Sequence, residues 1–380
     1  MKDVWAKCAR KMVLMTLIVA VFALAGFSGC ENKKGKTDRS SADKEDEILL
    51  EERTVAEQAR ELLPKPFIKV GFVQVGHESD WRIAATKACQ EAFCKENGYQ
   101  LYFVDADNDP KLQVSAVRNF IKERVDYIII DPILTTGWNA VLKEAYHAKI
   151  PVLLVDRGID CDQRYYVASF GSDFIREGEY AGQWLENYLD RNGRNTQPVH
   201  IVTINGTQGA SAQIGRTEGF ARYLERNENW KLLAQECGDF TESGGRAVME
   251  RYLQRYADID VVVCQNDNEA FGACAALEEA GLSYGKNSDI IVISFDATKA
   301  GLEAVLDGKI NADFECNPLS APYAAEAVRR LEAGETLTEK NHYLPEDCFT
   351  LEEDMMFLII GSDIKKMVCV TPELIEERAY

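Results

Sequence analysis

Pro151-Val152-Leu153-Leu154-Val155-Asp156-Arg157 is a short apolar run, entered through a proline and closed by an acid and an arginine. Consecutive apolar residues over that length read as a strand buried on both faces of a parallel sheet. Ligands of open α/β sheets gather just beyond the carboxyl ends of such strands. Asp156 and Arg157 therefore stand where this class of fold places its chemistry. The competing reading is that they cap the strand and pair with their neighbours.

The same pattern extends outward from this run. Strands are predicted at 68–75, 101–104, 127–130, 152–155 and 166–170, with helices from residue 80 and at 112–123 and 138–148. Trp81, Ala84, Ala85, Ala88, Cys89 and Ala92 share one face of the first helix, the spacing of a buried stripe. Asn97-Gly98 stops that helix. The pattern then restarts near Phe170. Helices at 174–189, 211–227, 242–256, 268–280, 299–307 and 319–333 alternate with strands at 199–204, 231–235, 261–265, 290–295 and 311–315. Such alternation implies βαβ units and parallel sheets. The strands are too many for one open sheet. The restart predicts an α/β fold of two doubly wound parallel-sheet lobes rather than a single eightfold barrel.

A chain of 380 residues, 46% of them hydrophobic, can build two such cores. Residues 1–29 belong to neither. Lys2, Lys7, Arg10 and Lys11 precede an apolar stretch from Met12 to Phe27, too short for the roughly 20 residues of a membrane span. This is the layout of a secretory signal, and Ser28-Gly29-Cys30 resembles a bacterial lipobox, which makes Cys30 the candidate lipidation site. Residues 30–66 are polar and charged and read as a flexible tether. A net charge of −19 without a basic stripe argues against nucleic acid as a partner. The eleven cysteines show no C-x-x-C pair, and Cys89, Cys94, Cys264 and Cys274 sit where core fillers would sit.

The predicted strand ends carry a consistent chemistry. Glu78, Trp81 and Arg82 follow the first strand, Asp131 the third, and Asp156-Arg157 the fourth. The second series offers Arg216 one turn into its helix, then Phe240, Asn266, Asp296 and, at the last strand, Glu315. Carboxylates, amides and arginines suit hydroxyls that donate and accept, and an aromatic ring covers the apolar face of a sugar. Enzyme readings find little support. There is no G-x-G-x-x-G after a strand, no P-loop and no G-x-S-x-G elbow. The four histidines show no metal spacing, and neither a cofactor nor a metal is expected.

Several motifs occur in order from about residue 67 to 345: Gln74-Val75-Gly76 with Trp81-Arg82, Ile150-Pro151-Val152 through Asp156-Arg157, Arg216 with Gly219-Phe220, Gly238-Asp239-Phe240-Thr241, Asn266-Asp267 and Phe295-Asp296. With them the chain resembles the periplasmic sugar-binding proteins of ABC transporters, of the ribose- and galactose-binding type, and within that type the galactofuranose-binding branch. The resemblance implies the type I periplasmic-binding-protein fold, two lobes joined by a three-stranded hinge. The N-terminal lobe would span 67–171 plus 316–345 and the C-terminal lobe 172–315. Residues 346–380 continue beyond the usual end, as an added strand or a capping helix of unknown role.

By motif position, Asp156, Arg157, Arg216, Asn266 and Asp296 would hydrogen-bond a monosaccharide, with Trp81, Arg82 and Phe240 covering it. Glu78, Asp131 and Glu315 carry over less directly. The implied protein is a monomer that delivers its sugar to an ABC permease, anchored outside the cytoplasm by lipid. A sensor subunit docking on a membrane histidine kinase or chemoreceptor would use the same lobes, and the sequence leaves that alternative open.

Overall fold

The structure, a computed structural model, describes residues 67–380; the expected signal segment 1–29, the lipidation candidate Cys30 and the expected tether through residue 66 lie outside the described residues. The elements run β1 (Ile68–Gln74), α1 (Asp80–Ala92), β2 (Tyr99–Asp105), α2 (Pro110–Lys122), β3 (Tyr127–Ile130), α3 (Asn139–His147), β4 (Val152–Asp156), β5 (Ala168–Gly171), α4 (Phe174–Arg191), β6 (Val199–Asn205), α5 (Ser211–Arg226), β7 (Trp230–Cys237), α6 (Glu242–Arg255), β8 (Val261–Cys264), α7 (Asp267–Glu279), β9 (Ile291–Asp296), α8 (Lys299–Leu306), β10 (Ala312–Glu315), α9 (Ser320–Glu332), β11 (Asn341–Tyr343), β12 (Cys348–Thr350), β13 (Phe357–Ile360), β14 (Asp363–Cys369) and α10 (Pro372–Glu377).

These strands form two sheets. The first, in the order β11-β5-β4-β3-β1-β2, is parallel throughout. The second, β13-β14-β12-β10-β9-β8-β6-β7, is parallel from β7 to β10. The run at 151–157 shows how one apolar stretch serves two cores. Val152 and Leu154 join the cluster built with α2 and α3, whereas Leu153 and Val155 join the one beneath α1 and α9. Ile128 and Ile130 oppose Tyr127 and Ile129 in the same way on β3. A strand covered on both faces needs no polar alternation, and each such side chain stabilises by about 1.5–3 kcal/mol. The second lobe repeats the plan, with α4 and α5 over one face and α6, α7 and α8 over the other.

The chain passes between the sheets three times: from β5 to α4, from β10 to α9, and from β11 to β12. The third passage delivers residues 346–380 to the second sheet. β12 adds antiparallel to β10, β14 lies parallel to β12, and β13 closes antiparallel on β14. The apolar run at 355–360 thus ends in an edge strand, Phe357–Ile360, with Leu358 buried and Phe357 and Ile359 exposed. α10 places Ile375 in the core shared with Leu302 and Val305. Cys89, Cys264 and Cys274 are buried as expected, but Cys94 is only partly so, because it precedes a single 3-10 turn at Lys95–Asn97 where the core ends. Among the described residues all nine cysteines are free.

One buried polar network ties α7 to the strands beside it. Asp267 accepts from Ser294 Oγ at 2.7 Å, Thr298 N at 2.8 Å and Thr298 Oγ1 at 2.6 Å. Asp313 Oδ1 accepts from Ala297 N at 3.1 Å, while its Oδ2 is buried without a donor. Burial raises both carboxyls above the usual carboxylate range, and their proximity makes them titrate as a pair. A proton shared between them satisfies Asp313 Oδ2. The unfolded chain gives that proton up near pH 4 and the folded one at higher pH. Stability from this pair is therefore full below about pH 4 and is lost as pH rises through the raised range. Asp313→Asn supplies a permanent N–H to Asp267, so the variant should gain melting temperature over wild type at pH 8 and little at pH 5. Thermal unfolding at the two pH values measures this; an equal shift at both would remove the shared proton.

Candidate functional site

The carboxyl ends of both sheets meet at one cavity, and local backbone decides what enters it. Ser79 caps α1, its Oγ accepting from Arg82 N at 3.2 Å, so the first turn of the helix presents Trp81 and Arg82. Asn266 caps α7 through Glu269 N at 2.8 Å, while its Nδ2 donates to Phe240 O at 3.1 Å. Asp156 and Asp296 end their strands in left-handed backbone, with φ of 58° and 102°, and Phe240 has φ of 60°. Side-chain-bearing residues adopt that region rarely, and for a bulky one it is an outlier. Phe240 is held there by Glu269, whose Oε1 accepts from Phe240 N at 2.9 Å. Gly206 makes room opposite, since a Cβ there would overlap the Phe240 ring.

Nine of the residues singled out from the sequence line this cavity: Glu78, Trp81, Arg82, Asp156, Arg157, Arg216, Phe240, Asn266 and Asp296. Asp131 stands behind them, accepting from Arg82 Nη1 and receiving Gln113 on its own carbonyl at 2.6 Å. Glu315 turns elsewhere. It pairs with Arg378 at 2.9 Å, accepts from the Tyr380 hydroxyl, and accepts from Asp347 N at 2.6 Å. Four further residues line the cavity: Ser79, Phe174, Ala212 and Cys316. Phe174 follows the first passage between the sheets and Cys316 lies on the second, the one sequence feature that could have pointed to them.

Each lobe pairs its arginines with its own acids. Arg82 bonds Glu78 Oε1 at 3.1 Å and Asp156 Oδ2 at 3.0 Å besides Asp131, and its guanidinium lies 4.7 Å from the Trp81 ring centre. Arg157 reaches Asp156 at 3.6 Å and Glu78 at 3.9 Å and lies 5.0 Å from the Phe240 ring centre. Arg216 bonds Glu177 at 2.6 Å, Asp296 at 3.3 Å and the Gln265 carbonyl. Burial pushes Asp131 and Asp296 well above the carboxylate range, with Arg82 and Arg216 opposing. Burial acts on Glu78 in the same direction, but Arg82 and Arg157 outweigh it and hold Glu78 below its usual value. Three guanidiniums thus face five carboxylates, and proton uptake by the deepest acids relieves the excess. Two polar atoms on cavity-lining residues remain buried without a protein partner: Arg157 Nη1 and Glu78 Oε2. An uncommitted donor and an uncommitted acceptor suit a neutral polyol. A carboxylate or phosphate ligand would find no cation free of an acid.

The lobes also touch directly beside the cavity. Thr135 N donates to Gly209 O at 2.9 Å, and Gly158 N donates to Ser211 Oγ at 2.8 Å. Trp81 Nε1 donates to Cys316 O at 2.5 Å on the second connecting segment.

Residues 70–335 match the periplasmic binding protein domain. The galactofuranose-binding protein YtfQ of Escherichia coli is 38% identical over 277 residues, covering 72% of this chain and 85% of that protein. A Mycobacterium smegmatis protein solved with β-D-fucofuranose is 43% identical, with a TM-score of 0.70 over 74% of this chain and 91% of its own. The binding component of the arabinose ABC transporter of Shewanella sp. ANA-3, solved with α- and β-L-arabinofuranose, is 38% identical, with a TM-score of 0.69 over the same shares, 74% and 91%.

Proposed function

The chain belongs to the family of periplasmic binding proteins, the sugar-binding components of ABC transporters, and we propose that it captures a monosaccharide in its furanose form and presents the closed protein to an ABC permease. The observation that carries the reading is the unpaired Arg157 Nη1, buried at a cavity walled by Trp81 and Phe240. A sugar hydroxyl completes that donor, and the rings accept the C–H face. The furanose choice comes from the relatives named or solved with furanoses. Asp156, Arg157, Arg216, Asn266 and Asp296 hydrogen-bond the sugar; Trp81, Arg82 and Phe240 cover it, and Glu78 completes the first-lobe wall. Asp131 acts by orienting Arg82. The lobes 67–171 plus 316–345 and 172–315 close about the connecting segments as a monomer, outside the cytoplasm, with Cys30 bearing the lipid and residues 30–66 as the tether. Residues 346–380 widen the second sheet.

Isothermal titration against a sugar panel tests this. Galactofuranosides, L-arabinose and D-fucose should give heat, whereas methyl pyranosides, locked in the six-membered ring, and uronic acids should give none. Silence from every sugar would overturn the reading, and equal binding of the methyl pyranosides would remove the furanose choice.

A further inference from the structure

We infer that the segments connecting the two lobes carry a second site, for a thiolate-binding divalent cation of the zinc class, built from Glu177, Cys316 and Glu346. Glu177 stands in the first turn of α4, just after the first passage between the sheets. Cys316 lies on the second passage and Glu346 on the third. No sequence spacing announces them, because the fold alone brings them together. A carboxylate oxygen of each glutamate and Cys316 Sγ all lie within 4.8 Å of one another. Ligand atoms around tetrahedral zinc stand roughly 3.3–3.8 Å apart, given bonds of about 2.0–2.3 Å, so the three need move inward by only about 1 Å.

The second observation is the state of Glu177. It is 2% exposed; its Oε2 accepts from Arg216 Nε at 2.6 Å, and its Oε1 is buried with no partner. A buried carboxylate oxygen left bare is destabilising, and a cation supplies the missing partner. Glu346 is already aimed. Its Oε1 accepts from Ser172 Oγ and from Asn317 N at 3.0 Å. Ser172 Oγ lies 3.2 Å from Cys316 Sγ. On the outer side the cluster borders a cleft lined by Glu177, Glu346, Arg176, Tyr180 and Lys365, which gives an ion a route in and leaves space for a water ligand.

The donor set chooses the ion. Calcium and magnesium take oxygen shells, whereas one thiolate with two carboxylates suits zinc or a similar borderline cation. On binding, the Cys316 S–H bond breaks and a metal–sulfur bond forms; the thiol proton, together with any proton that burial keeps on Glu177 or Glu346, leaves to solvent, with no change of oxidation state. The ion would also reach the sugar cavity. Cys316 O holds Trp81 Nε1, and Glu177 holds Arg216. Metal and sugar are therefore coupled through these shared residues, each changing the affinity for the other. This coupling rests on the sugar reading; the metal site does not.

Titration of the reduced, chelator-stripped full chain with Co2+ tests the site in the absence of sugar. One equivalent should bind with a thiolate-to-cobalt band in the near ultraviolet, and Zn2+ should displace it. Cys316→Ser should abolish the band, and Glu346→Gln should weaken binding by about tenfold or more. Cys237→Ser, removing an exposed thiol that is not part of the cluster, should change neither. No band, or one that survives Cys316→Ser, overturns the site. If Cys316→Ser fails to fold, unchanged Co2+ affinity in Glu346→Gln overturns it alone. An intact band with no response to any sugar counts against the sugar reading only, and a sugar affinity that zinc leaves unchanged overturns the coupling.

Discussion

Arg157→Ala should lose sugar binding by about 3–5 kcal/mol, two to three and a half orders of magnitude in Kd, while unfolding as cooperatively as wild type. The magnitude follows from the position of the guanidinium. It is buried, it lies against the Phe240 ring, and one of its nitrogens waits for a partner. Its removal leaves ligand hydroxyls facing nothing that water can easily replace. The fold should survive because Arg82 still neutralises Asp156 and Glu78 at 3.0 and 3.1 Å. Arg157→Lys separates charge from shape: a point charge cannot reproduce the planar fork, so most of the loss should remain. Calorimetric titration beside urea denaturation reads both quantities. A variant that binds normally would remove Arg157 from the site, and one that unfolds would return it to a structural role.

Gly219→Val should cost about 3 kcal/mol of stability, among the larger effects of a single substitution in this protein. The helices α4 and α5 touch through backbone. A Cβ on Gly219 would overlap Ile175 O, one on Gly178 would overlap Arg216 O, and one on Gly182 would overlap the Tyr223 ring. No rotamer change relieves a clash with a carbonyl, so the helices must separate. Glu177 and Arg216 face each other across the same contact. The variant should therefore lose sugar affinity along with stability, although residue 219 is not part of the cavity. Urea midpoints give the first effect and titration the second. A stable variant that binds sugar normally would show that the helices can part without moving Arg216.

The central strands were legible because runs such as 127–130 and 152–155 have one plausible home, a sheet covered on both faces. The cavity was legible where a residue type and a strand end coincide, as at Asp156, Asn266 and Asp296. It was not legible where position depends on how the lobes meet. Phe174 and Cys316 read as a helix start and a connecting residue until the passages between sheets bring them to the cavity. Glu315 obeys the strand-end rule yet leaves the site, because Arg378 and Tyr380, near the far end of the chain, claim its carboxylate. Asp131 falls one layer short for the same kind of reason: Arg82 occupies the space between it and the cavity. Residues 346–380 gave only an apolar run. Pairing with β10 and β14 is what makes them strands.

Both sheets are finished by the same late stretch of chain. β11 supplies one edge of the first sheet, and β12, β13 and β14 supply one side of the second, with Phe349, Leu358 and Met367 filling its two cores. As the polypeptide is synthesised, the first lobe cannot close its hydrophobic interior until residues near 344 have emerged, nor the second until residues near 375 have. Long-range pairing of this kind delays folding. A nascent chain kept unfinished in both halves is still a flexible thread, the state in which a polypeptide can be drawn through a narrow translocation pore before it folds on the far side.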